Sequence, residues 1–134
     1  MNTTQIGDIS EQKFILYCLK REVAVCRPIG NNLPYDFIID YNGSLLKVQV
    51  KTAYQNAGTV SDVWTFNTRS CSKNYNEVIN HDYLGLIDYF AVVRPDRDDV
   101  IMVPISKSAK GSMKISYEDK CRSNQNCYKD FILF

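Results

Sequence analysis

The chain has 134 residues, 45% hydrophobic and 23% charged, and a formal net charge of +1. That size and balance suit one soluble globular domain and exclude a disordered or fibrous chain, while the low net charge does not by itself announce a nucleic-acid partner. No apolar run is long enough to span a bilayer, and the start, Met1 to Gly7, has no basic segment leading into an apolar one, so a cytoplasmic protein is expected.

Phe14, Ile15, Cys18 and Leu19 recur at helical spacing from about Thr4 to Arg21, with Asp8 and Glu11 toward the N-terminal end, where negative charge suits the helix dipole. Val23 to Arg27 reads as a short strand running into the turn formers Gly30, Asn31 and Asn32. Tyr35 to Tyr41 and Leu45 to Thr52 form two strand-like runs joined by Asn42-Gly43, a pair suited to a two-residue hairpin turn. Val60 to Thr68 alternates around Trp64 and Phe66, whereas Ser70 to Gly85 is polar, lacks periodicity and is expected to be a loop or short helix. Asp88 to Arg94 and Val100 to Ile105 predict a second hairpin turning at Pro95 to Asp99, followed by a mixed tail ending in the apolar Phe131 to Phe134. This order predicts a single α/β domain over residues 1–134 with a mixed, largely antiparallel sheet. Cys18, Cys26, Cys71, Cys121 and Cys127 are odd in number, contain no C-x-x-C pair and have only His81 to join them, which predicts free thiols and not a zinc site.

The chemistry gathers at the first hairpin. On the run Leu45 to Thr52, Gln49 and Lys51 share a face with Leu45 and Lys47, while Leu46, Val48 and Val50 share the other. A turn centred on Asn42-Gly43 with no bulge sets Asp36 opposite Gln49, with Lys51 a diagonal neighbour. Glu11 falls on the apolar stripe of the helix with Gly7, Phe14, Ile15 and Cys18, where an ionised carboxylate needs a partner or a metal. Two carboxylates can hold Mg²⁺ for phosphodiester hydrolysis, and a nearby lysine can orient the attacking water and neutralise developing charge. Glu11, Asp36, Gln49 and Lys51 are therefore the candidate catalytic set, with Glu11, Asp36 and the Val50 carbonyl as metal ligands. Gln49 offers an amide oxygen as a neutral ligand or a group that orients water. Arg69, Lys73, Lys107 and Lys110 form a pool of DNA-contact candidates.

Pro34-Tyr35-Asp36 followed by Gln49-Val50-Lys51 resembles the PD-(D/E)XK nuclease motif with glutamine in place of its second acidic residue. Gly7-Asp8-Ile9 before Glu11, Leu33-Pro34-Tyr35-Asp36, and Leu45 to Lys51 more closely resemble the PD-(D/E)XK homing endonucleases encoded in bacterial group I introns, where glutamine also occupies that position. The likeness is dense from about Gly7 to Thr52 and thin afterwards. It implies a restriction-endonuclease-like core, a mixed central β-sheet flanked by helices. It also implies a site-specific double-strand DNA endonuclease that uses Mg²⁺, with Mn²⁺ able to substitute, and leaves 5′-phosphate and 3′-hydroxyl ends. Members act as homodimers or homotetramers on long duplex sites. Two alternatives share the same residues: a Holliday-junction-resolving or repair nuclease, and a DNA-binding module that has lost catalysis, suggested by Gln49 and the low net charge.

Overall fold

Asn42 and Gly43 both take positive φ, 50° and 78°, which is what a tight hairpin following the twist of its strands requires. The computed structural model describes residues 1–30, 32–74 and 77–134, with the side chains of 70–81 outside that description. The hairpin joins β2 (Phe37–Tyr41) to β3 (Ser44–Thr52), paired from Tyr41↔Ser44 to Phe37↔Val48, the register expected from its turn. Edge strand β1 (Ala24–Cys26) runs antiparallel to β2. On the other side β3 pairs in parallel with β7 (Tyr89–Val93), which forms the second expected hairpin with β8 (Val100–Pro104). The five-stranded mixed sheet has the order β1-β2-β3-β7-β8.

Alternation along these strands divides the core in two. Val48, Val50, Ala91, Val93, Val100 and Met102 pack with Phe14, Tyr17 and Cys18 of helix α1 (Thr3–Lys20). Phe90, Val92, Ile101 and Val103 pack with Phe66, Met113, Ile115 and Phe131 on the opposite face. That second face is covered by an antiparallel ribbon of β4 (Val63–Asn67) and β9 (Ser112–Ser116) and by a 3₁₀ turn at Tyr128–Phe131. The expected α/β class is thus realised with an α-helix on one face and a β-ribbon on the other.

Two sequence expectations are corrected. The polar stretch from 70 to 85 is neither a loop nor a helix along most of its length: β5 (Arg69–Asn74) and β6 (Glu77–Asp82) form an antiparallel hairpin. Both strands are mostly polar in sequence, so no apolar alternation was available to mark them. The expectation of free thiols fails for Cys121 and Cys127, which are joined by a disulfide. The chain after β9 folds back on itself and brings their Cα atoms within 5.7 Å, a proximity that six residues of irregular backbone do not announce. Cys18 and Cys26 are free, and burial pushes the Cys18 thiol up to about 12, as suits an inert core residue.

The helix is started by a capping box. The Asn2 side chain accepts from the Gln5 N–H and the Gln5 side chain accepts from the Asn2 N–H, so Asp8 and Glu11 are not needed at the first turn. Lys13 then ties the helix to the β7–β8 turn, its ammonium donating to the carbonyls of Pro95 at 3.0 Å and Arg97 at 2.9 Å. Asp98, 3.7 Å away, is 89% exposed and adds little. Lys13→Met retains the apolar stem and removes the donor, and should cost about 1–2 kcal/mol in urea unfolding. A midpoint unchanged from wild type would show that the clamp adds no net stability.

Candidate active site

Strand β3 outruns β2: the ladder between them ends at Phe37↔Val48, while β3 continues to Thr52 against β7. The backbone edge of β3 beyond Val48 therefore faces no strand on the β2 side. Asp36 fills that gap, its own N–H donating to the Val48 carbonyl at 2.9 Å and its carboxylate accepting from the Val50 N–H at 2.8 Å. Within a strand the N–H and C=O of one residue point the same way, so the Val50 carbonyl also faces Asp36 and not β7. Asp36 and Gln49 are thus neighbours across the end of the hairpin, but Asp36 caps Val50 where a further rung of the ladder would have been.

This in-plane position is open to both faces of the sheet. Glu11 approaches it from the helix side, so that the two carboxylates share one cleft and repel each other. The buried stripe of α1 runs through Ser10, Phe14, Tyr17 and Cys18, so Glu11 sits on its rim and not in its centre. Ser10 was the missed member, and its hydroxyl lies 2.6 Å from that of Thr52, fixing the helix against the end of β3. Its spacing of four from Phe14 was the signal available.

Lys51 reaches Asp36 from the other face and favours its ionised form. Its ammonium donates to the Arg69 carbonyl and to the Tyr83 hydroxyl, each at 3.3 Å, and lies over the Tyr83 ring. Tyr83, from the stretch without periodicity, left no sequence signal of this role. Gln49 turns its amide nitrogen to the Val50 carbonyl at 3.4 Å. Arg27, also missed, lines a cleft of about 400 Å³ with Glu11 and Asp36.

Burial raises the carboxyl of Glu11 above its ordinary range, and the neighbouring Asp36 charge raises it further, against the lowering effect of Arg27. Burial also raises Asp36, against the Val50 N–H and Lys51, which lower it. With only protein around them the two carboxylates compete for one proton. Among the described residues no three His, Cys, Asp or Glu side chains come together. Glu11, Asp36 and the Val50 carbonyl are the oxygens that could hold a cation, and this all-oxygen set fits a hard divalent ion.

A titration prediction follows with a definite sign. A carboxyl whose folded pKa is raised binds its proton more tightly folded than unfolded, so it costs stability once pH rises through that folded value. Without divalent ions, Glu11→Gln should therefore raise the unfolding temperature at neutral pH, with the gain vanishing below the carboxylate range. Added Mn²⁺ should stabilise wild type and not the variant. A variant that melts with wild type at neutral pH, with and without Mn²⁺, would contradict both the strained pair and the cation site.

Of the DNA-contact candidates, Arg69 and Lys110 line one groove of about 440 Å³ together with Thr68, Ile105 and Gly111. Lys107 is exposed on the 3₁₀ turn Ile105–Lys107 beside it. The Arg69 carbonyl accepts from Lys51, which ties this groove to the lysine of the candidate site. Lys73 belongs to β5, but its side chain lies outside the described residues.

A family model described as PD-(D/E)XK endonuclease matches residues 1–131. A solved structure described as a bacterial homing endonuclease, I-Ssp6803I, superposes with a TM-score of 0.80 at 24% identity, covering 98% of this chain and 88% of that one. That likeness shows the fold. No curated protein matches the chain.

Proposed function

The chain belongs to the PD-(D/E)XK endonuclease family, and on that premise we propose that it is a Mg²⁺-dependent, site-specific double-strand DNA endonuclease of homing type, a single domain acting in the cytoplasm. The observation that carries this reading is the Glu11–Asp36 pair at the unpaired end of β3, with the Lys51 ammonium on its far side. The fold it shares with a bacterial homing endonuclease supports the same reading.

In this mechanism Glu11, Asp36 and the Val50 carbonyl would hold Mg²⁺, or Mn²⁺ in its place. When bound, the ion supplies charge neutralisation at the phosphoryl oxygens and a lowered pKa for water. Lys51, braced by the Arg69 carbonyl and the Tyr83 hydroxyl, would orient the attacking water and offset charge developing on the phosphate. The Gln49 amide, joined to the Val50 carbonyl, would keep that carbonyl turned toward the cleft. Arg69, Lys107 and Lys110, with Lys73, would follow the duplex backbone. A homodimer or homotetramer would bring a site to each strand and sum several modest basic faces along one duplex, which answers a net charge of only +1.

The test is incubation of pooled bacterial genomic DNA with the protein, with and without Mg²⁺, and sequencing of the new ends. Discrete ends that share one long sequence and need metal support the reading. Cutting of branched DNA irrespective of sequence would move it to a junction-resolving or repair nuclease. A protein that retains duplex and never cuts would be a DNA-binding module, the alternative suggested by Gln49 and the low net charge.

A further inference from the structure

Among the described residues, Arg27 is the one cation lining the carboxylate cleft, and the mechanism above leaves it without work. It follows edge strand β1, and its guanidinium carbon lies 5.0 Å from the centre of the Phe37 ring, against the first residue of β2. Its Nη1 is 3.8 Å from Glu11 Oε2, beyond hydrogen-bonding distance, and its side chain is 55% exposed. Such an ion pair contributes little to the fold. Among the described residues no hydrogen bond commits its N–H groups, so a fork of donors suited to an anion stands over the cleft.

A phosphate brought to this cleft needs cations beside it. A phosphodiester entering it meets two carboxylates, Glu11 and Asp36, and is repelled unless cations stand on the approach. Lys51 answers on one face of the sheet. Arg27 stands on the other, lining the same cleft as Asn32 and Tyr35, and both cations act on Asp36.

We propose that Arg27 is a substrate-binding residue that clamps a DNA phosphate in the Glu11–Asp36 cleft, releasing its loose contact with Glu11 as the duplex enters. The clamp rests on the nuclease reading and adds to it a group outside the motif that brackets the phosphate opposite Lys51. A guanidinium can donate two parallel hydrogen bonds to phosphate, which an ammonium cannot.

The experiment compares wild type, Arg27→Ala, Arg27→Lys and Lys51→Ala. Binding to a labelled random-sequence duplex without divalent ions is followed by anisotropy against salt. Cleavage is followed on genomic DNA with Mg²⁺, and each protein is titrated with Mn²⁺ alone. The clamp predicts that Arg27→Ala lowers the salt slope by about one and slows cleavage about 10- to 100-fold. Arg27→Lys should restore the slope but not the rate. If wild type cuts, Lys51→Ala does not, and Arg27→Ala matches wild type in slope and rate, the clamp is wrong and the nuclease reading stands. If Arg27→Ala binds Mn²⁺ more tightly with no change in slope, Arg27 is only a counter-charge for Glu11, and the proposal falls. A wild type that never cuts removes the nuclease reading and the clamp with it.

Discussion

Lys51→Ala should lower single-turnover DNA cleavage by about 10³-fold while leaving the protein folded and able to hold duplex. Proton transfer and charge stabilisation by a positioned group each account for factors of this order. Lys51 is not a solvated surface lysine: its ammonium is held between the Arg69 carbonyl and the Tyr83 hydroxyl and acts on Asp36. Lys51→Arg should restore little, because a planar guanidinium does not fit a site shaped around a point charge. Single-turnover rates at saturating protein, read beside duplex affinity, make the check. A Lys51→Ala enzyme within tenfold of wild type would remove this residue from the chemistry.

Arg94→Ala should be strongly destabilising, costing about 3 kcal/mol or an unfolding temperature about 10 °C lower. The Arg94 side chain is 7% exposed and pairs with Asp62 at 3.1 Å and Asp96 at 2.7 Å. Its guanidinium lies 4.4 Å from the centre of the Trp64 ring and 4.6 Å from that of Tyr117. Removing it leaves a void between two rings and takes from Asp62 and Asp96 the cation they share. Because those carboxylates are half-exposed and can rehydrate, the cost falls at the lower end of the range for breaking a buried pair. Arg94→Lys should recover part of the loss by keeping the charge without the fork to Asp96. Thermal unfolding followed by circular dichroism decides it, and a loss below 1 kcal/mol would mean that the network is ornamental to stability.

The first hairpin was legible because Asn42-Gly43 sets both the turn and the register, and the register in turn brings Asp36 to the end of β3. The second hairpin was legible because its two apolar runs flank one polar turn. Alternation was not sufficient for Glu11, whose position on the rim of the buried stripe depends on how α1 is rolled against the sheet, and that is set by Ser10 and Thr52. Tyr83 and Arg27 were invisible for a different reason. Each enters the site through contacts distant in sequence, and neither residue type nor spacing carries that information. The same holds for the disulfide of Cys121 and Cys127, which depends on an irregular stretch turning back on itself.

The parallel pairing of β3 with β7 bears on when the protein can become active. Every motif residue lies within the first 52 positions, yet the strand that carries Gln49 and Lys51 gains its inner neighbour only after everything from Ala53 to Asp88 has been looped out. Closing such a loop is slow compared with forming a local hairpin, because chain entropy must be given up before the contacts return it. A chain emerging from the ribosome thus carries all the chemical groups of the site long before it carries their support. The site is therefore assembled only when the last strands of the sheet are in place.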